Sequence, residues 1–318
     1  MQQERNYSLD LLKIILAFLV VLHHSPSPIH DIMWPITSCA VPSFFMISGY
    51  FLFGKEISYN RMMKRAIRIT KIFCWSLLIF YICFWVRHEE PYIPNLKDIC
   101  LLVFVNSVPF GLHLWYLTAY IYALIILAIL ARKNKILWFG YISIVGLLLY
   151  FMLDIWHIYY NVPRFLTLIY CTRNFFFTAI PMMSLGAMVS NWKPDSGKTK
   201  WIVASLIVFS ICAVIEANTF HLNNHIGDYF FFTIPVSFSL LMLFLNCEIR
   251  KQNVLAKWGA RYSLFIYLLH PIMISILAYQ VGRDTYFVGV LAFTISLLVS
   301  VVFVACKNNV KSVIIKHK

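Results

Sequence analysis

The residues with the clearest potential for chemistry lie in the first apolar segment of the chain, Ser8 to Ser25. Lys13 stands near its start and His24 near its end, with ten residues between them. On an α-helix this spacing makes three turns plus about 20°, so both side chains share one face, about 16 Å apart along the axis. Ionisable groups inside a membrane span are costly and are often functional. The alternative is a lysine and a histidine that reach the two headgroup layers.

A second histidine stands in a later apolar segment, directly before a proline. His270 and Pro271 end the sequence R-Y-S-L-F-I-Y-L-L-H-P, which begins at Arg261. Proline has no N–H, so it leaves a carbonyl of the preceding turn unbonded and favours a kink. His270 either hydrogen-bonds a neighbouring helix or takes part in chemistry.

A stripe of basic residues follows the second apolar segment. Its members recur every three or four positions, so they share one face of a helix: Arg61, Lys64, Arg65, Arg68 and Lys71. Such a stripe is typical of a cytoplasmic segment that contacts anionic lipids. It also suits a polyphosphate ligand from the cytosol, because the arginine fork binds two phosphate oxygens at once.

Candidate substrate contacts lie near the ends of other apolar segments. The fourth segment opens with H-L-W-Y-L, in which His113 and Trp115 are the first and third residues. This motif is typical of an interfacial aromatic belt, and its flat rings also offer a surface on which a sugar can stack. Arg173 begins the sixth segment and Glu216 ends the seventh. The two charged residues either line a cleft for the substrate or are simply solvated.

The composition places all these residues in an integral membrane protein. The 318 residues are 61% hydrophobic and only 13% charged, with a mean hydropathy of +0.75. Ten apolar segments are each about long enough to cross the ~30 Å hydrocarbon layer as a helix. They cover residues 8–27, 34–54, 66–86, 112–131, 136–154, 174–190, 201–217, 229–246, 262–280 and 286–306. We therefore predict a single all-α membrane domain over residues 1–318 with about ten transmembrane helices.

The basic residues orient this domain. With the N-terminus in the cytoplasm, five of the 27 lysines and arginines fall outside, which leaves 22 inside. This bias predicts that both termini are cytoplasmic. It also accounts for the net charge of +14 without a nucleic-acid partner. The apolar run 99–108 would invert every later loop if it spanned the membrane, so we predict an interfacial or re-entrant segment on the outer face.

The cysteines give no sign of a metal site or of a disulfide framework. The chain has eight cysteines, scattered mostly through apolar segments and without a C-x-x-C pair. Structural zinc sites and disulfide-rich domains both need closely spaced cysteines. We therefore expect buried thiols that behave as small hydrophobic groups.

Several of these stretches together resemble acyltransferase family 3, membrane proteins of roughly ten spans that O-acylate bacterial surface glycans. The shared motifs, in chain order, are Lys13-x10-His24, V-P-S-F-F-M-I-S-G-Y-F-L at 41–52, Arg65-x-x-Arg68, H-L-W-Y-L at 113–117, and R-Y-S-L-x-I-Y-x-x-H-P at 261–271. The chain has Lys13 where the family has arginine. The resemblance covers nearly the whole chain and is strongest to short stand-alone members, such as the enterobacterial common antigen O-acetyltransferase.

The resemblance implies a function for this chain. It implies a multi-pass protein of the bacterial cytoplasmic (inner) membrane that moves an acyl group, most simply acetyl, from cytosolic acyl-CoA to a glycan hydroxyl. The lipid bilayer, acyl-CoA and a cell-surface or lipid-linked glycan are then its partners, and no metal is required. The alternative is a transporter or flippase for a lipid-linked saccharide, because intramembrane charges and broken helices suit that class as well.

The same resemblance implies roles for the candidate residues. Arg65 and Arg68 hold the nucleotide phosphates of the donor, with Lys13 as a further cation. His24 accepts the proton of the glycan hydroxyl, since a histidine titrates near neutral pH, or forms a covalent acyl-histidine. His270 orients His24 or stabilises the developing oxyanion.

Overall fold

The computed structural model describes residues 6–88, 91–108, 110–159, 173–220, 231–247, 249, 251–282 and 285–316, and the regular elements within these ranges are all helices. Its α-helices are α1 (Tyr7–His24), α2 (His30–Thr37), α3 (Ala40–Phe53), α4 (Tyr59–His88), α5 (Leu96–Val105), α6 (Trp115–Arg132), α7 (Leu137–Tyr159), α8 (Ile180–Met188), α9 (Thr199–Phe220), α10 (Thr233–Asn246), α11 (Val254–Val281) and α12 (Val288–Lys316). Short 3-10 helices precede α6 and α9, and a π-helical turn, Phe175–Ala179, precedes α8.

Seven helical stretches within the described residues are long and apolar enough to cross a membrane. They are Tyr7–His24, Ile32–Phe53, Tyr59–His88, Leu112–Arg132, Ser196–Thr219, Val254–Val281 and Val288–Lys307. Three shorter apolar stretches, Leu137–Leu153, Phe175–Met188 and Thr233–Asn246, occupy the positions of the other predicted spans. The prediction of an all-helical fold is confirmed, whereas the count of ten spans and the cytoplasmic termini stay predictions.

The apolar run after α4 forms the short helix α5. Asn95 and Asp98 cap its N-terminus reciprocally, and Asn106 ends it in the left-handed conformation at φ 61°. None of its residues is buried, and Phe104 is 73% exposed. At ten residues α5 is too short to span hydrocarbon. Its exposed apolar side chains are those expected of a helix lying at the membrane surface.

Helices α1 and α11 form a close pair that positions the site. Asn6 and Asn253 cap their N-termini, each accepting a backbone N–H in the first turn. The helices approach so closely that a Cβ on Gly259 would overlap the backbone carbonyl of Asp10. Small residues permit such close approach of helices in membranes. Because α1 and α11 meet near their starts and again near His24, they run side by side in the same direction.

A second close pair joins α3 and α8. A Cβ on Gly49 would overlap the carbonyl of Met183, and a Cβ on Gly186 would overlap the carbonyl of Met46. Each glycine therefore lies directly against the backbone of the other helix, one from each side of the same seam. Around these pairs, α4 packs on α6, α12 on α11, α9 on α10, and α7 on α8. The π-helical turn packs chiefly against α6 and α7, and it shares a pocket with the C-terminal end of α1, where the candidate site lies.

Candidate active site

A pocket opens at the C-terminal end of α1. Its empty volume, including the open mouth, is about 450 Å³. Residues from distant parts of the chain line it, among them His23, His24, Thr37, Trp115, Arg173 and Thr178. The structure thus brings three of the residues singled out from the sequence, His24, Trp115 and Arg173, to one pocket.

His24 belongs to a cluster of three imidazoles. Its ring stacks on that of His270, with centroids 5.3 Å apart and planes at 26°. The ring of His113 lies 5.7 Å from that of His270, nearly perpendicular to it. His270 is completely buried and His113 is 9% exposed, whereas His24 is exposed and lines the pocket. His24 is therefore the member of the cluster that a ligand in the pocket meets first.

The neighbouring His23 also lines the pocket but is bound to α2. Its Nδ1 lies 3.0 Å from the hydroxyl of Thr37, and that hydroxyl donates to backbone carbonyls one turn earlier in α2. Because the hydroxyl proton is already used, Nδ1 of His23 is the donor of this contact. His30 lies with Nε2 3.0 Å from the carbonyl of His23. His23 thus joins α1 to α2.

The H-L-W motif divides between the cluster and the pocket. The hydroxyl of Tyr267 donates a hydrogen bond to the carbonyl of His113, and the ring of Phe80 lies 4.4 Å from the His113 ring. These contacts hold His113 against His270. Trp115 is only 8% exposed and is one of the residues that line the pocket. Stacking of a sugar on the rings of this motif stays a prediction.

Arg173 supplies a positive charge to the pocket at the start of the π-helical turn. Asn174 accepts the N–H groups of Phe176 and Phe177 at 2.9 Å each, and Asn106 accepts that of Phe175 at 3.1 Å. Two asparagines therefore bond the first backbone donors of the turn. π-Helical turns are frequent at functional sites. A cation beside His24 favours a ligand that carries a negative or developing negative charge.

Lys13 lies away from this pocket. Its Nζ is 3.0 Å from the carboxylate of Asp10 and 5.0 Å from the ring centre of Phe51. It sits three turns before His24, about 16 Å along the axis. The geometry gives Lys13 a role in charge pairing with a buried aspartate. Lys13 is not among the residues that line the pocket, and its role as a further cation for the donor stays a prediction.

The predicted donor residues differ in their surroundings. Arg68 is exposed, whereas Arg65 is half-buried and its side chain reaches the hydroxyl of Tyr120, which also contacts Ser48. From Tyr120 a row of rings leads to the imidazole cluster, with Tyr120–Tyr116 centroids 6.4 Å apart and Tyr116–Tyr267 centroids 5.3 Å apart. The row of tyrosines was not predicted. The spacing of four between Tyr116 and Tyr120, which puts both on one face of α6, is the signal that points to it.

Glu216 caps a helix outside the pocket lining. Its two carboxylate oxygens accept the N–H groups of Phe231 and Phe232 at 2.7 and 2.9 Å, just before α10 begins. A carboxylate is stabilising at this position because it meets unbonded donors and the positive end of the helix dipole. The prediction that Glu216 contacts substrate gains no support from this geometry. In the described part of the chain no three His, Cys, Asp or Glu residues gather as a metal-binding group.

Comparison with known proteins identifies a family. The model of the acyltransferase domain family matches residues 6–306. An amino-acid racemase of Enterococcus faecalis is 28% identical over 300 residues, which cover 86% of this chain and 42% of that protein. A serine/alanine racemase of Enterococcus gallinarum is 26% identical over 300 residues, covering 85% and 41%. The chain thus spans about two fifths of the length of these curated relatives, and neither is the enterobacterial O-acetyltransferase named above. No solved structure matches the chain.

Proposed function

The chain belongs to the acyltransferase domain family, and from this premise we propose that it moves an acyl group from cytosolic acyl-CoA to a hydroxyl of a cell-surface or lipid-linked glycan. It is an acyltransferase built of membrane-length helices. Acetyl is the acyl group that we propose, and the bacterial cytoplasmic membrane is the location. Racemisation is not part of the proposal, because that name belongs to relatives of which the chain covers about two fifths.

The observation that supports the proposal most is the exposed imidazole of His24 in a pocket that also holds Trp115 and Arg173. His24 accepts the proton of the acceptor hydroxyl as the oxygen forms a bond to the acyl carbon. The carbon–sulfur bond then breaks, and the thiolate that leaves takes the proton back from His24. The positive charge of Arg173 stabilises the carbonyl oxygen while it is negative.

The donor reaches this pocket from the opposite side in the proposed orientation. Arg65 and Arg68 bind the nucleotide phosphates of acyl-CoA at the inner face of the membrane. The pantetheine arm follows the ring row Tyr120, Tyr116 and Tyr267 toward His24. What supports this path is the contact of Arg65 with Tyr120 together with the continuous ring spacing from Tyr120 to His270.

Purified full chain in lipid nanodiscs tests the proposal directly. With acetyl-CoA and a glycan extract of the cell surface, thiol release should depend on both substrates, and mass spectrometry should show the glycan heavier by one acetyl group. A flippase would move a labelled lipid-linked saccharide across vesicles without consuming acetyl-CoA. That second result, with no thiol release, would replace the proposed activity by transport.

The donor site has its own test. We expect Arg65→Ala and Arg68→Ala each to raise the KM for acetyl-CoA, since a charge-assisted phosphate contact contributes about 1.5–3 kcal/mol. Lys64→Ala is the matched control, because Lys64 is exposed on the same helix and lies outside the Arg-x-x-Arg pair. Unchanged KM values in both arginine variants would contradict phosphate binding by Arg65 and Arg68. The basic stripe would then only orient the helix in the membrane and contact lipids.

A further inference from the structure

Pro271 creates an unusual acceptor next to the imidazole cluster. In an α-helix the N–H of residue 271 would bond to the carbonyl of residue 267, but proline has no N–H. Helix α11 continues through Pro271 to Val281, so the carbonyl of Tyr267 is left without its helical partner. Nδ1 of His270 lies 2.6 Å from that carbonyl oxygen. The ring of His270 therefore replaces the missing backbone donor.

This hydrogen bond fixes the tautomer of His270. A carbonyl oxygen only accepts, so Nδ1 carries the hydrogen, and in the neutral ring Nε2 is left as a lone pair. Nε2 is buried and has no hydrogen-bond partner among the described residues. A neutral ring of this tautomer has no N–H left for an oxyanion. Nε2 of His270 also forms no hydrogen bond to the neighbouring ring of His24.

We propose that Pro271 is a positioning residue that holds His270 as a hydrogen-bond acceptor, and that Nε2 of His270 receives an N–H or O–H of a substrate. The ring of His113 lies 5.7 Å from that of His270, and Nε2 of His113 is likewise buried without a hydrogen-bond partner in the described chain. Two chemical sources fit, the amide N–H of the acyl-CoA arm and the acceptor hydroxyl. The identity of the substrates in this inference rests on the proposed function, whereas the tautomer of His270 does not depend on it.

Magnetic resonance of the full chain tests the tautomer without any activity. With histidine labelled by nitrogen-15 in lipid bilayers, the wild type should show a neutral imidazole protonated at Nδ1, and His270→Asn should remove that signal. Pro271→Ala should convert it to a mixture of tautomers, because the new N–H competes for the Tyr267 carbonyl. Tyr267→Phe should keep it, since the carbonyl remains. A wild-type His270 protonated at Nε2 would overturn the inference even if Pro271→Ala fails to fold.

Activity provides a second measurement. Pro271→Ala should lower kcat/KM for acyl transfer roughly tenfold, the scale of one hydrogen bond. Pro235→Ala is the matched control, because Pro235 lies in the first turn of α10, where the helix needs no N–H. Equal losses in both variants would reduce Pro271 to a general structural role.

Adding one ligand at a time identifies the source of the donor. Coenzyme A alone should shift the Nε2 resonance of His270 if the amide N–H of the arm is the donor, whereas methyl N-acetylglucosaminide alone should shift it if the acceptor hydroxyl is. If neither probe nor their mixture moves the resonance while acyl transfer proceeds, substrate binding at Nε2 is refuted. Absence of acyl transfer with the Nδ1–H tautomer intact would refute the proposed function and leave the positioning by Pro271 standing.

Discussion

The adjacent histidines of α1 differ in what holds them, and this difference predicts their contributions. His24 is exposed in the pocket and stacks on His270, whereas His23 is tied to Thr37 on α2. His24→Ala should lower kcat by about 10²–10⁴-fold, the range for loss of a general base. His23→Ala should lower kcat much less, because His23 contacts Thr37 on α2 and has no proposed part in the proton transfer.

Both variants need the same control. The amount of folded protein in the membrane is measured first, since a polar-to-apolar change at the end of a span can alter insertion. Steady-state rates with acetyl-CoA then separate the two histidines. Equal losses for His23→Ala and His24→Ala would show that the division of roles is mistaken, and full activity in His24→Ala would rule out the mechanism.

Lys13 is a second case at the residue scale, and here the prediction concerns the stability of the fold. Lys13→Ala removes the ammonium group that lies 3.0 Å from the buried carboxylate of Asp10. The free energy of unfolding should fall by about 1–3 kcal/mol. This is less than for a fully buried ion pair, because the side chain of Lys13 is 23% exposed. Thermal unfolding in detergent measures this change, and Lys13→Arg should retain both stability and activity.

The control is Asp10→Asn in the Lys13→Ala background, which should recover part of the lost stability. If it recovers none, the ion pair of Lys13 with Asp10 is not what stabilises the fold.

At the scale of helices, the α3–α8 seam depends on glycine. A Cβ at Gly186 would overlap the backbone carbonyl of Met46, which no side-chain rotation can move away. Gly186→Ala should therefore lower the free energy of unfolding by about 1–3 kcal/mol, as overpacking does. Gly140→Ala is the control, because nothing lies within 4 Å of its added Cβ. It should be neutral or stabilise α7 by up to about 1 kcal/mol, the difference in helix propensity. Equal stability of the two variants would contradict the close packing.

At the scale of the whole molecule, the charge distribution predicts the orientation in the membrane. The 22 basic residues assigned to the inside, out of 27, predict that both termini are cytoplasmic. Reporter fusions after Arg132 and Lys198 should therefore read cytoplasmic, and fusions after Asp154 and Asn223 external. An external signal at Lys198 would change the number of spans.

The sequence by itself determined the class of the protein and several local features. Membrane-length apolar runs require helices, because a helix bonds its own backbone groups where no water is present. The positions of the apolar helices and the shortness of α5 follow from such local rules. The motifs of the family are read directly from the sequence. The free carbonyl made by Pro271 also follows, since it depends only on residues one turn apart.

Only the tertiary structure decided which residues meet. His24 and His270 stack, Arg65 reaches Tyr120, and Glu216 caps α10, although each pair is far apart in the chain. The spacing of Lys13 and His24 on one helix face suggested a shared site, but the axial distance separates them and Asp10 binds Lys13. Periodicity gives the face of a helix, whereas helix packing, set here by glycines against backbone carbonyls, decides what that face contacts.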